Sequence, residues 1–455
     1  MGPRCDAPSP VDSWAPYEPT AEVPWDLGRV VHLHRRAGFA ATWAETRRDL
    51  HDGPEATVSR VLAGTSRIGG VPEDFEATSA LLADAAVASG DADRLRAWWV
   101  YRMLGSPDPL GERLALMWHG HFASAVSKVG DLALMRRQVE TFRRLARAPF
   151  GELLGEAARE PALLIYLDAP ANRKGHPNEN LARELMELFT LGIGQFAEGD
   201  VREAARALTG WRVEDGRFAE SPSRHDDGPK TILGRKGNLS GSDLLRILLD
   251  HPATARRVAW RLCDTLMGEG ATDGPAIDAL AGRLRSDGLD VGRAVATILR
   301  SRDFFAPANL RSRVLGPAEL VVGACRALVP AGSMPSTLIL ADWIGRLGQE
   351  LFEPPNVGGW PGGRSWLSAR SLVARANLAA ALADGKAVGL PGPLDAQAIA
   401  ASQGRGTSAG DARVAASALL LGVEPDGAAT LGEDTPEAAR HALREVLASP
   451  EAQVG

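Results

Sequence analysis

Apolar residues recur along most of this chain at three- and four-residue intervals, the spacing of helices with one buried face. The pattern predicts a first helix over Trp25–Ala40 and further helices at Trp43–Asp49, Ala56–Ala63, Asp74–Ala88 and Asp91–Leu104. It continues through Pro107–Val129, 131–148 and 150–167 to a dense stretch at Pro177–Ile193, PNENLARELMELFTLGI. There Asn178 is the expected N-cap and Gly192 the expected left-handed stop. Leu181, Leu185 and Leu188 form one stripe and Met186, Phe189 and Ile193 another, so most of this helix is expected to be buried. Period-two alternation arises only around WRVEDGRF, where Asp215-Gly216 signals a hairpin, and KTILG offers a further short strand. The expected fold class is mainly α: a large orthogonal multi-helix domain with a small β-hairpin insertion near 211–234.

The Pro-rich residues 1–24 read as a disordered or extended arm, 25–384 as the helical core, and 385–410, rich in Gly, Ala and Ser, as a flexible linker. Residues 411–455 read as C-terminal helices packing on the core. No apolar run approaches the roughly 20 residues of a membrane span, and no signal peptide is evident, so a cytoplasmic location is the default expectation. The net charge of −6 supplies no basic footprint for nucleic acid. Cys5, Cys263 and Cys325 are too scattered for a zinc knuckle or a disulfide framework, and the last two read as core residues.

Chemistry concentrates on the Pro177–Ile193 helix. Asn180, Arg183, Glu184 and Glu187 share a stripe, and Glu179–Arg183 and Arg183–Glu187 are both at i,i+4 spacing. Two readings stand: an ion ladder that neutralises the charges, or a pocket wall with Glu184 or Glu187 as acid, base or metal ligand. His119 and His121 diverge by about 200° on one helix and cannot share an ion; each is either a satisfied core histidine or a partner for those carboxylates. His225, Asp226 and Lys230 lie on a charged stretch that reads equally as a site or as a solvated tip. Trp360, in the Pro- and Gly-rich loop Leu347–Leu367, either packs across helix ends or offers an aromatic platform to a sugar or peptide. Metal content and cofactor are unknown at this level. The chain contains no nucleotide-binding glycine loop, no H-E-x-x-H and no G-x-S-x-G.

The segments LMWHGHFA, LLIYLD, HPNENLARELMELFTLGIGQF, DVREAARALTGW, HDDGPKTILG, LFEPPNVGGWPGG and SPEAQ resemble the bacterial family catalogued as domain of unknown function 1800. The resemblance runs from about Trp25 to the C-terminus and implies a mostly helical fold, with no established activity. It also implies exported relatives and co-encoded proteins of the domain of unknown function 1501 family as possible partners. On the family's motif positions the natural candidates are His119, His121, Asn178, Glu179, Asn180, Arg183, Glu184, Glu187, His225, Asp226 and Lys230. Two functions are expected to compete: a hydrolase-like enzyme with a carboxylate/histidine pocket, or a non-catalytic binding or assembly protein with a co-encoded partner.

Overall fold

The computed structural model describes residues 13–67, 74–330, 332–425 and 434–455. Among the described residues there are 21 α-helices and two two-stranded antiparallel sheets, so the mainly α class holds. The apolar faces bury into two clusters. One gathers Leu33, Leu114, Trp118, Phe150, Phe189 and Leu262, the other Phe39, Trp99, Leu116, Val321, Phe352 and Leu419. The Pro109–His121 helix is buried along its whole length and feeds both, with Leu114 and Trp118 on one side and Leu116 on the other. Its Glu112, Arg113, His119 and His121 are therefore buried along with its apolar residues.

The first hairpin forms as expected: β1 (Trp211–Glu214) pairs with β2 (Arg217–Glu220), and Asp215 and Gly216 both take positive φ, as a tight two-residue turn requires. Lys230–Ile232 does not extend this sheet. It forms β3 of a second hairpin with β4 (Arg235–Gly237), turning at Leu233-Gly234, so the insertion runs past 234. Leu233 at a positive φ is a turn that composition does not advertise.

The N-terminal residues 1–12, with Cys5, lie outside the described residues. From Ser13 the arm is extended and docked. The buried Trp14 indole donates to the Ala276 carbonyl at 2.8 Å, and Tyr17 and Arg302 hold the strand-like stretch by backbone bonds to Arg300 and Ala15. The stretch 385–410, expected as a flexible linker, contains a 3-10 turn, the helix Ala396–Ser402 and buried Val388, Leu390, Leu394 and Ile399. Its apolar residues are too sparse to show a period, yet they join the second apolar cluster.

Candidate functional site

The Pro177–Ile193 stretch opens one residue later than expected: the N-cap position falls on Glu179, whose side chain makes no capping bond, and Asn178 stands just before it. The Asn178 side chain accepts from the Asn180 amide at 2.9 Å, and Gly192 closes the element at φ 87. Between them the helix is α only over Asn180–Glu184 and widens to a π turn over Leu185–Thr190. Such wide turns strand carbonyls near the helix end. Two distant side chains take them: His121 Nε2 meets the Phe189 carbonyl at 3.0 Å, and Arg257 Nε donates to the Leu188 carbonyl at 3.2 Å.

The expected ion ladder is half present. Arg183 pairs with Glu179 at 3.0 Å, but its second partner is Glu198 of the next helix, not Glu187. Glu184 and Glu187 are half-buried, and burial with mutual repulsion raises the Glu184 carboxyl above its usual range. Among the described residues no hydrogen bond or ring contact joins either carboxylate to His119, His121 or His225. The imidazoles point elsewhere. His121 is packed among Trp118, Phe122 and Phe189, and burial pushes its pKa well down. His119 lies on the opposite side, between Trp99, Phe352 and Trp360, with neither ring nitrogen bonded, and burial lowers its pKa to about 3. It is a neutral ring in an aromatic cage.

His225, Asp226 and Lys230 do come together, around the hairpin. Arg206 grips Asp226 at 2.8 and 3.1 Å and so holds its carboxyl well below the usual range. The buried Lys230 ammonium donates to the Asp226 and Gly228 carbonyls, and His225 Nδ1 meets the Thr209 carbonyl at 2.9 Å. Each polar group is committed to fixing a loop.

A hollow of about 490 Å³ opens instead at the seam of the two cores, within the usual size of a ligand pocket. Of the sequence candidates only Trp360 lines it. The Pro109–His121 helix supplies Arg113, and the Pro252–Leu266 helix supplies Arg257, Trp260, Arg261 and Asp264. Arg313 and Glu319 close it from a third element. The Trp360 loop reaches this position because Gly359, at φ 78, lies against Gly120: a Cβ at 359 would be 2.1 Å from the Gly120 carbonyl oxygen. A side chain at Gly120 would in turn meet the Arg261 guanidinium at 3.2 Å.

Positive charge outweighs negative in this hollow. Glu319 is buried and shared by Arg113, at 2.6 Å, and Arg313, which pull its carboxyl down against the cost of burial. Arg36 lies behind them, its guanidinium donating to the Met267 and Asn309 carbonyls. Arg261 has no hydrogen-bond or ion-pair partner among the described residues, and its Nε is buried. Burial raises the Asp264 carboxyl above the ordinary range despite Arg261 and Arg313, and Glu269 adds to the rise. Four guanidinium groups thus face three carboxyl groups, those of Asp264, Glu269 and Glu319. Among the described residues no group of three or more His, Cys, Asp or Glu is placed to hold a metal ion.

These residues escaped the sequence reading for two reasons. Arg257, Trp260, Arg261 and Asp264 at i, i+3, i+4 and i+7 form a polar stripe on an otherwise apolar helix, a signal that was there to find. Arg113 lies some two hundred residues from Arg313 and Glu319 in the chain, and nothing local signals that they meet.

A family model described as "Protein of unknown function (DUF1800)" matches residues 32–454. No curated protein and no solved structure matches the chain.

Proposed function

We infer, for a chain that belongs to that family of unknown function over nearly its whole length, that its work is the recognition of an anionic ligand in the arginine-lined hollow. One observation carries the reading: four guanidinium groups face the space, Glu319 is already shared by two of them, and Arg261 is left without a partner. A guanidinium fork is the protein group best matched to a carboxylate, phosphate or sulfate. Titrating citrate, phosphate, sulfate or galacturonate at constant ionic strength should raise the melting temperature, since a ligand that binds only the folded state stabilises it by mass action. Arg261→Gln should abolish most of that shift while leaving the fold intact. If none of these anions moves the melting temperature more than chloride does, the reading fails.

Hydrolysis of the bound ligand is the catalytic form of this proposal, with Asp264 as proton donor in place of a carboxylate/histidine pair. Its support is the raised Asp264 carboxyl beside Arg261. Binding without turnover in the native protein favours a non-catalytic binding protein; turnover lost in Asp264→Asn with binding retained favours the hydrolase. Association with a protein of the domain of unknown function 1501 family, implied by the resemblance, is a further proposal, tested by co-purification of the two chains expressed together. Among the described residues no helix is long and apolar enough to cross a membrane.

A further inference from the structure

A second hollow, of about 600 Å³, lies toward the N-terminal end of the Pro252–Leu266 helix and is walled partly by the Leu191–Ile193 end of the central element. Arg257 and Trp260 line both hollows, so the two are contiguous across one pair of side chains. The Arg257 guanidinium lies over the Trp260 ring, 4.6 Å from its centre, with Nε donating to the Leu188 carbonyl. Beyond them the second hollow offers Arg256 and Arg285, with Asp278 held to Arg256 at 2.7 Å. From Arg256 to Asp264 the helix rises about 12 Å at 1.5 Å per residue. That is far longer than one carboxylate or phosphate needs.

We propose that the two hollows form one groove for an acidic oligosaccharide, a hydroxyl-rich chain bearing carboxylates at intervals. The proposal rests on the anion-recognition reading and names its ligand. Guanidinium groups line both hollows, Arg313 and Arg261 the first, Arg285 the second and Arg257 the two together, so that positive charge extends from one to the other. Carboxyl groups stand in both hollows as well, Asp264 and Glu269 in the first and Asp278 in the second, and offer oxygen acceptors to sugar hydroxyls. The indoles of Trp260 and Trp360 supply flat apolar faces of the kind on which sugar rings lie. The overall charge of −6 also opposes nucleic acid.

Galacturonate and its trimer and hexamer, a neutral cello-hexamer and a single-stranded DNA oligomer are the probes, each titrated into the full chain by calorimetry at one salt concentration. The expected result is a Kd at least tenfold lower for the galacturonate hexamer than for the monomer, with the neutral hexamer and the DNA binding weakly or not at all. Arg285→Ala, on an exposed residue at the far end, should remove most of the length dependence. Monomer and hexamer binding alike, or DNA binding more tightly than the uronate hexamer, overturns the groove while leaving anion recognition standing. No binding of galacturonate together with no melting shift from the small anions overturns both.

Discussion

The Arg113 guanidinium lies 2.6 Å from the Glu319 carboxylate, with only 6% and 4% of the two side chains exposed. Glu319 also takes Arg313 and reaches back to the Gly316 amide at 2.8 Å, so one buried carboxylate ties two helices and the turn between Arg313 and Gly316. Removing one partner of a buried pair leaves the other charge uncompensated, which costs about 3–5 kcal/mol. Glu319→Gln should therefore lower stability by about that amount, read as a shift in denaturant midpoint at unchanged slope. Adding Arg113→Met should recover part of the loss.

His119 should behave as an acid-side liability. Its folded pKa of about 3 lies below the 6.5 of the free side chain. A depressed value means stability is intact above pH 6.5 and is eroded as pH falls from there toward 3, because the unfolded chain takes up the proton first. His119→Leu removes the titration and the two unbonded nitrogens. Melting temperatures measured between pH 7 and 4 should fall less steeply for the variant, with small-anion binding retained. Loss of that binding in a folded variant would show that the ring acts on the ligand.

Asp264 should set the pH dependence of recognition. Its folded pKa is raised above the ordinary 3.8, so its favourable contribution is complete below that value and is lost as pH climbs through the raised one. A bound anion disfavours the ionised carboxylate further. Anion affinity should accordingly decline on that rise in the native chain and stay flat in Asp264→Asn, as calorimetry at a series of pH values would reveal.

Gly359→Ala should dislodge the Trp360 loop. The new Cβ meets the Gly120 carbonyl oxygen at 2.1 Å, and φ of 78 is strained for alanine by about 1–3 kcal/mol before any clash. A lowered melting temperature and weaker anion binding are expected together. Alanine at Gly175, which has φ 80 but open space around it, should weaken stability without touching binding.

Glu184→Gln should be close to silent at neutral pH, within about 0.5 kcal/mol of the native stability, and neutral for anion binding. The side chain is half-buried, makes no hydrogen bond among the described residues and suffers repulsion from Glu187. A folded variant that no longer binds anions would return the site to the central helix.

The helical class, the Gly192 stop and the Asp215-Gly216 hairpin were readable from the chain because each depends on neighbours within a few residues, and the N-cap position missed Asn178 by one residue. The divergence of His119 and His121 was readable for the same reason, as a consequence of helical pitch. Which partners those rings meet was not. His121 does reach the central helix, but at the Phe189 carbonyl left over by a π turn, and no periodicity announces such a turn.

The sequence by itself determined where helices start and stop, which faces are apolar, and that polar groups stand on otherwise buried elements, since these follow from short-range sterics and hydrophobic spacing. Only the tertiary structure decided that Arg113 and Arg313 share Glu319 and that arginines from three separate elements surround one hollow beneath Trp360, while among the described residues no hydrogen bond joins the Glu184 or Glu187 carboxylate to an imidazole. Charge acts through space across distances that chain separation does not encode, so the location of the site was settled by packing.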